Sequence, residues 1–392
     1  MTGKLGEFTM SELEEKRDVQ AQDAELVQGF AAKYDALRKE IHKVVMGQEQ
    51  VVEELLIALF SRGHALLVGV PGLAKTLLAK TLAGALGWDF KRIQFTPDMM
   101  PSDITGTEIL QTDAETRQRT MQFIKGPVFA NLILADEINR APPKTQAALL
   151  ESMQEYTVTA AGVTYRLERP FMVVATQNPI EHEGTYPLPE AQLDRFMFNI
   201  VVDYPTRESE LRIVDETTTR DAPPVSPTMT REEILMYQGL VRRVPVSKHV
   251  LAYAVDLAAA SRPTPVSPPV SREFVEWGAG LRASQYLILG AKSLALLRGL
   301  PAPSCREIRD VAMPVLRHRI LRNYKAAGKG ITTEAIISTL LKHVKEPDYT
   351  GKGAAKPIAA VRGTSADTPQ RPRIADALEK MTKSLGGEQI ER

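Results

Sequence analysis

The segment Gly69-Val70-Pro71-Gly72-Leu73-Ala74-Lys75-Thr76 has the composition of a phosphate cradle. An apolar run at residues 65–70 leads into it and a helical pattern follows it, so the layout is strand, tight loop, Lys-Thr, helix. Backbone N–H groups of such a loop converge on phosphate oxygens, and the positive end of the following helix adds to their pull. Lys75 is expected to reach the outer phosphates and the Thr76 hydroxyl to ligate Mg²⁺. The expected contact set is Gly69, Val70, Pro71, Gly72, Leu73, Ala74, Lys75, Thr76 and Leu77. Ala74 stands where glycine usually precedes the lysine, which implies a backbone there without a strong demand for positive φ.

Two further constellations suit the same chemistry. Leu132-Ile133-Leu134-Ala135-Asp136-Glu137 is an apolar strand ending in two carboxylates. Asp136 is placed to hold Mg²⁺ through water, and Glu137 to orient and polarise the attacking water. The alternative is an ordinary strand end with solvated acids, which the order and spacing after the loop disfavour. Asn178, in Ala175-Thr176-Gln177-Asn178-Pro179, follows another apolar strand and is placed beside the terminal phosphate and the water. Alone, an Asn before Pro is a turn residue. The reaction these groups suit is Mg²⁺-dependent hydrolysis of ATP.

Such groups need a sheet to present them. Short, nearly continuous apolar runs at 65–70, 92–95, 132–135, 171–176 and 198–202 read as parallel strands covered on both faces. Helical stretches at 75–86, 144–156 and 190–195 lie between some of them. The fold class is therefore α/β, a doubly wound parallel sheet whose strand ends carry the ligand. Stretches 107–124, around Thr112-Asp113-Ala114, and 157–167, around Ala161-Gly162, alternate polar and apolar and read as inserted β-hairpins. Beyond Pro205 the pattern is helical at 210–218, 231–241, 250–259, 271–298, 305–318 and 333–342, with proline-rich breaks at 223–227 and 263–269. The expected domains are a flexible leader (1–30), a nucleotide-binding core (31–205), an all-helical lid (206–345), and a flexible linker with a short C-terminal helix (346–392). That helix is expected at 374–385, and is marginal alone at such a length.

Taken together these residues resemble the AAA+ superfamily of P-loop ATPases and, within it, the MoxR family. The resemblance covers about residues 35–345. It is carried by GVPGLAKT at 69–76, QFTPDMMPSDITG at 94–106, ADEINRAPPKTQAALLESMQE at 135–155, ATQNP at 175–179 and YPLPEAQLDRF at 186–196. Ala74 also looks like this family. The resemblance implies that Asn178 is sensor 1 and that Arg195 is the arginine finger reaching the γ-phosphate of a neighbour's ATP. The competing reading of Arg195 is a surface ion pair with Asp194 or Glu190. It further implies that Arg282 is sensor 2, with Arg272 a second candidate in that region. Val45, Met46, Gly47 and Gln48 match the segment that contacts adenine. Arg140 is either a second intersubunit contact or a solvated cation. The hairpins resemble inserts that face the pore of a ring. Family members look like chaperones acting on von Willebrand factor A-type partners, often to mature a metalloenzyme. The implied assembly is a homo-oligomeric ring, a hexamer.

Composition bounds the alternatives. The chain has 392 residues, with 49 Lys plus Arg against 48 Asp plus Glu, for a formal charge of +1. That balance predicts no general affinity for nucleic acid or an anionic membrane. The hairpins carry few aromatics, Arg117, Arg119 and Lys125 are offset by Asp113 and Glu115, and a DNA-tracking pore calls for more. A nucleic-acid motor on the same core is the second reading. A nucleotide-gated scaffold, the third, requires a crippled site, whereas Lys75, Thr76, Asp136, Glu137 and Arg195 are all present. The N-terminus lacks the apolar stretch of a signal peptide and no run reaches the length of a membrane span, so the expected location is cytoplasmic. The single cysteine, Cys305, reads as a small apolar filler, and the six scattered histidines suggest no zinc site.

Overall fold

The computed structural model describes residues 10–112, 119–180 and 184–347. The chain enters through α1 (Met10–His42) and α2 (Glu49–Phe60). Strand β1 (Ala65–Val68) leads through the glycine loop into α3 (Lys75–Leu86) and β2 (Phe90–Gln94). A short helix α4 (Pro101–Thr105) opens the first hairpin, β3 (Gly106–Thr112) and β4 (Arg119–Lys125). Then come β5 (Leu132–Asp136), α5 (Pro143–Glu155), and the second hairpin, β6 (Thr157–Ala160) and β7 (Val163–Arg166). β8 (Met172–Gln177), the single turn α6 (Glu190–Leu193) and β9 (Phe198–Val201) complete the sheet region.

Five of these strands form one parallel sheet in the order β2-β5-β8-β1-β9. The apolar runs of the inner strands β1, β5 and β8 are continuous because both faces are covered, whereas the edge strand β2 exposes Lys91 and Arg92. Leu132, Leu134, Met172 and Val174 pack into one core cluster, while Ile133, Ala135, Val173 and Ala175 pack into the other. That division follows from the two-residue period of a strand. β1 is flanked by β8 on one side and β9 on the other, and strand order reverses there. Ligands bind outside the carboxyl ends of strands at such a point.

The hairpins are joined to each other. Phe123 of β4 stacks on Tyr165 of β7, with centroids 4.5 Å apart and planes inclined by 11°. Phe129 meets both rings edge-on. Ile109, Leu110, Met121 and Ile124 on the first hairpin are exposed.

Beyond the sheet lie α7 (Arg207–Thr219), α8 (Arg231–Arg243), α9 (Lys248–Ala260), α10 (Pro269–Phe274), β10 (Val275–Trp277), α11 (Leu281–Leu297), α12 (Cys305–Leu316), β11 (Leu321–Arg322), α13 (Tyr324–Gly328) and α14 (Thr333–His343). Capping boxes start α8 at Thr230 with Glu233 and α12 at Ser304 with Glu307, each satisfying otherwise orphaned N–H groups. Cys305 is buried, and burial pushes its thiol up to about 11. Among the described residues no helix is long and apolar enough to cross a membrane.

Several expectations are revised. The helix expected over 271–298 is two helices, α10 and α11, separated by β10 and Gly278-Ala279-Gly280. A Cβ on Gly278 would lie 2.6 Å from the Arg262 backbone, so glycine is what permits the close approach of these two segments. β10 pairs antiparallel with β11, a two-stranded ribbon within an otherwise helical region. The flexible leader expected over 1–30 is also corrected. α1 is helical from Met10, and Val27 and Phe30 are buried, Phe30 edge-on to Phe60 at 4.7 Å. Val27, Phe30, Tyr34, Leu37 and Ile41 form one apolar stripe at spacings of three and four, which extends upstream of residue 31. The rest of the leader (1–9), residues 113–118 and the tail from 348, with its expected helix, lie outside the described residues.

His64, just before β1, gives the fold a pH dependence. It is fully buried, its Nδ1 accepts from Val173 N–H at 2.9 Å, and its Nε2 lies 3.1 Å from the Met153 carbonyl. That pairing requires the neutral tautomer protonated on Nε2. Desolvation lowers its pKa from 6.5 to about 4. Between those values the unfolded chain binds the extra proton, so stability falls as pH drops through this window, by at most about 1.4 kcal/mol per pH unit. Urea denaturation at pH 7 and pH 4.5 is expected to show a smaller loss for His64→Gln than for the unaltered chain. Equal losses would exclude His64 as a source.

Candidate functional site

Three strand ends build the site. Val68 of β1 is in register with Gln177 of β8, and β5 lies on the far side of β8, ending at Asp136. The loop after β1, the Asp136-Glu137 pair and Asn178 therefore emerge at one edge of the sheet.

The loop is built on two glycine requirements. A Cβ at Gly69 would come within 2.4 Å of the Val202 carbonyl, so β1 and the end of β9 approach only because that side chain is absent. Gly72 takes φ +85°, the left-handed region glycine favours. Lys75 Nζ donates to the Gly69 carbonyl and, at 3.1 Å, to that of Val70, which sets the ammonium across the mouth of the loop. Ala74 departs from expectation. Its φ of 55° and ψ of 22° are left-handed, so the position does demand positive φ and alanine meets it at a cost of about 1 kcal/mol or more. It serves as the N-cap of α3, where the chain must reverse sharply to begin the helix beside the loop. Glu137 is left-handed too (φ 56°, ψ 51°). Strain of this kind concentrates where function fixes the backbone.

The carboxylates are held by Thr176, Arg92 and Gln94, for which the sequence suggests no role, and by Arg140. Thr176 Oγ1 donates to Asp136 Oδ1 at 2.6 Å and accepts from the Glu137 N–H at 2.8 Å. Arg92 on β2 forks onto Asp136 Oδ2 from Nε (3.0 Å) and Nη2 (2.7 Å). Gln94 Nε2 donates to Glu137 Oε2 at 3.1 Å, and Arg140 Nη1 donates to the same oxygen at 2.9 Å. Arg140 thus pairs within its own chain. The available signal was the alternation of Arg92 and Gln94, which puts both on one face of β2, with Gln94 in register with Asp136. Asn178 is buried, and its Oδ1 accepts from the Ile180 N–H at 3.1 Å, orienting the amide.

Other candidates lie apart from this cluster in their contacts. Val45, Met46, Gly47 and Gln48 form the turn between α1 and α2. Gln48 Nε2 donates to the Asp203 carbonyl at 3.0 Å, and Gly47 packs against Pro205 and Ser209. Gly47 and Gln48 line a cavity of about 340 Å³ with Asp203 and Tyr204. Arg282, in the first turn of α11, donates to Asp194 Oδ2 at 2.8 Å, while Arg272 is exposed at the end of α10. Arg195 follows α6 and is partly exposed, and among the described residues its guanidinium has no ion pair.

A family model described as "ATPase family associated with various cellular activities (AAA)" matches residues 64–198, and an AAA lid domain model matches 270–340. The chain is 42% identical over 324 residues to the chaperone MoxR1 of Mycobacterium tuberculosis, covering 82% of this chain and 85% of that protein. It belongs to the MoxR family of AAA+ ATPases. Protein MoxR of Paracoccus denitrificans is a further relative, 30% identical over 75% of this chain and 90% of its own. A crystal structure from Cytophaga hutchinsonii designated an ATPase superposes with a TM-score of 0.77 at 41% identity, covering 83% of this chain and 98% of that one.

As a MoxR-family ATPase the chain binds and hydrolyses ATP. The donor set fits Mg²⁺: the Thr76 hydroxyl in the first turn of α3 and the Asp136 carboxylate at the end of β5 are hard oxygen donors. Among the described residues no cluster of three or more acidic, histidine or cysteine side chains could cage a metal. Mg²⁺ is typically held by one or two protein oxygens with water and substrate phosphates, which is what this edge offers.

Proposed function

We propose that the chain is a Mg²⁺-dependent, ring-forming ATP-driven chaperone of the cytoplasm, assembling as a hexamer in which each subunit completes its neighbour's site. The observation that carries this reading is a division of labour. Lys75, Asp136, Glu137 and Asn178 sit at one sheet edge, whereas Arg195 lies beyond the sensor strand without an ion pair among the described residues. A cationic group with no ion pair among the described residues is available to one across a subunit boundary.

In this reading residues 69–77 cradle the triphosphate through backbone N–H groups and Lys75 neutralises its outer charge. Thr76 and Asp136 would hold Mg²⁺, which would neutralise phosphate charge. Glu137 polarises the attacking water, freed for that role when Gln94 and Arg140 yield its Oε2. Asn178 fixes the water and the terminal phosphate from β8. Arg195 stabilises charge on the neighbour's transferring phosphoryl group. Arg282 approaches nucleotide from the lid, and residues 45–48 contact the adenine. The client class, von Willebrand factor A-type proteins or metalloenzymes under maturation, follows from the family resemblance.

The reading is tested first at Lys75. Lys75→Ala removes the cation from the cradle and is expected to weaken nucleotide binding about 10- to 100-fold, the worth of one or two charge-assisted hydrogen bonds. Titration with a fluorescent ATP analogue measures it, and unchanged affinity would overturn the assignment of the loop. ATP turnover with and without DNA, and with a von Willebrand factor A domain, separates chaperone from nucleic-acid motor.

A further inference from the structure

Arg319, between α12 and β11, is a buried arginine that the chemistry above does not use. Its side chain is 2% exposed, and all its nitrogens donate to residues 194–197 or to the end of α12. Nε donates to Asp194 Oδ1 at 2.7 Å. Nη2 donates to the carbonyls of Asp194 (2.9 Å) and Phe196 (2.6 Å), and Nη1 to those of Met197 (3.1 Å) and Val315 (2.6 Å). Its guanidinium lies over the ring of Tyr286, 5.0 Å from the centroid, and the Tyr286 hydroxyl donates to the Arg195 carbonyl at 3.4 Å. His318 Nε2 lies 3.1 Å from the Phe196 carbonyl. Every carbonyl from Asp194 to Met197 is therefore engaged by a side chain of the helical region.

We propose that Arg319 is a positioning residue for Arg195: from the lid it fixes the backbone of residues 194–197, and so the direction in which the Arg195 side chain leaves its own subunit. The proposal rests on Arg195 acting in trans. Its geometry is specific to arginine. A planar fork can satisfy a carboxylate and several carbonyls at once, which neither lysine nor an apolar side chain can do. The segment is also anchored to the sheet region, where Phe196 and Met197 are buried and the Met197 N–H donates to the His64 carbonyl at 2.8 Å. The lid bonds add the restraint on its carbonyls and on the Asp194 carboxylate, and Asp194 and Arg319 also border an open cavity of about 730 Å³. Because catalytic groups misplaced by about 1 Å lose about 10²-fold in rate, a loosened backbone affects turnover before binding.

The test is a double-mutant cycle between Arg319 and Arg195, read in assembled protein. Arg319→Lys keeps the charge opposite Asp194 and loses the fork; Arg319→Met loses both. Nucleotide affinity by fluorescent titration, KM and kcat are measured for each, the last with radiolabelled ATP so that residual rates are resolved. The expected result is nucleotide affinity and KM within about twofold of the unaltered chain and kcat lower by about 10²-fold. In an Arg195→Ala background neither Arg319 substitution should lower kcat further, because a residue that acts through Arg195 has nothing left to position. Losses that multiply in the double variant overturn the proposal and make Arg319 an independent structural element, as does unchanged kcat in both single variants. If Arg319→Met fails to fold, Arg319→Lys carries the cycle alone. Arg195→Ala turning over at the unaltered rate would sink the finger reading itself, an outcome visible without any Arg319 variant.

Discussion

Arg195→Ala is expected to lower ATP turnover in assembled protein by about 10³-fold or more, the usual worth of an arginine finger, while leaving nucleotide affinity nearly intact. The separation follows from location. Arg195 makes no ion pair among the described residues and lies outside the cluster of Lys75, Asp136 and Glu137, so its removal leaves its own cradle whole. Turnover per subunit of the unaltered chain should also rise with protein concentration as subunits associate, because association is governed by mass action. Mixing two inactive variants is more telling. Where an Arg195→Ala subunit offers an intact cradle to the intact finger of a Glu137→Gln subunit, activity should return in the mixture. Arg195→Ala running at the unaltered rate in assembled protein would remove Arg195 from the chemistry.

Glu137→Gln is the second large effect. The amide keeps the shape of the side chain and can still meet Gln94, but it cannot polarise water as a carboxylate does, so kcat is expected to fall about 10²- to 10⁴-fold. Binding of ATP should persist, since no phosphate contact is assigned to Glu137. Equilibrium titration and single-turnover hydrolysis on the same preparation separate the two quantities. Turnover near the unaltered rate would mean that the strand end is a solvated acid pair.

The sheet was legible because its inner strands β1, β5 and β8 are buried on both faces and so read as unbroken apolar runs between turn residues. The helix after the loop was legible to the residue, Lys75–Leu86, because the loop fixes its start and Gly87 its end. What polar residues do was harder to read. Arg92 and Gln94 sit on a strand with exposed positions, and only the pairing of β2 with β5, contacts more than 40 residues apart in sequence, gives them partners. Thr176 braces Asp136 from the next strand by the same logic. Arg319 was invisible because a buried arginine follows no periodicity; its carbonyl partners exist only after the helical region docks on the sheet region. Ala74 misled in the opposite sense. A residue that dislikes positive φ implies its absence, yet the surrounding loop imposes it.

The stacked pair Phe123 and Tyr165 bears on how motion travels. α5 starts shortly after Glu137 and its helical turn, runs 13 residues, about 20 Å, and passes directly into β6. A helix of that length transmits displacement as a rod, so a shift beside Glu137 is delivered to the β6–β7 hairpin. There the parallel rings, 4.5 Å apart and wedged by Phe129, leave no slack between this hairpin and β3–β4. The two hairpins are a linkage with one input and two outputs, and the exposed Ile109, Leu110 and Met121 ride on the longer arm. A displacement of α5 is therefore expected to move the exposed apolar side chains of β3–β4 together with the β6–β7 hairpin.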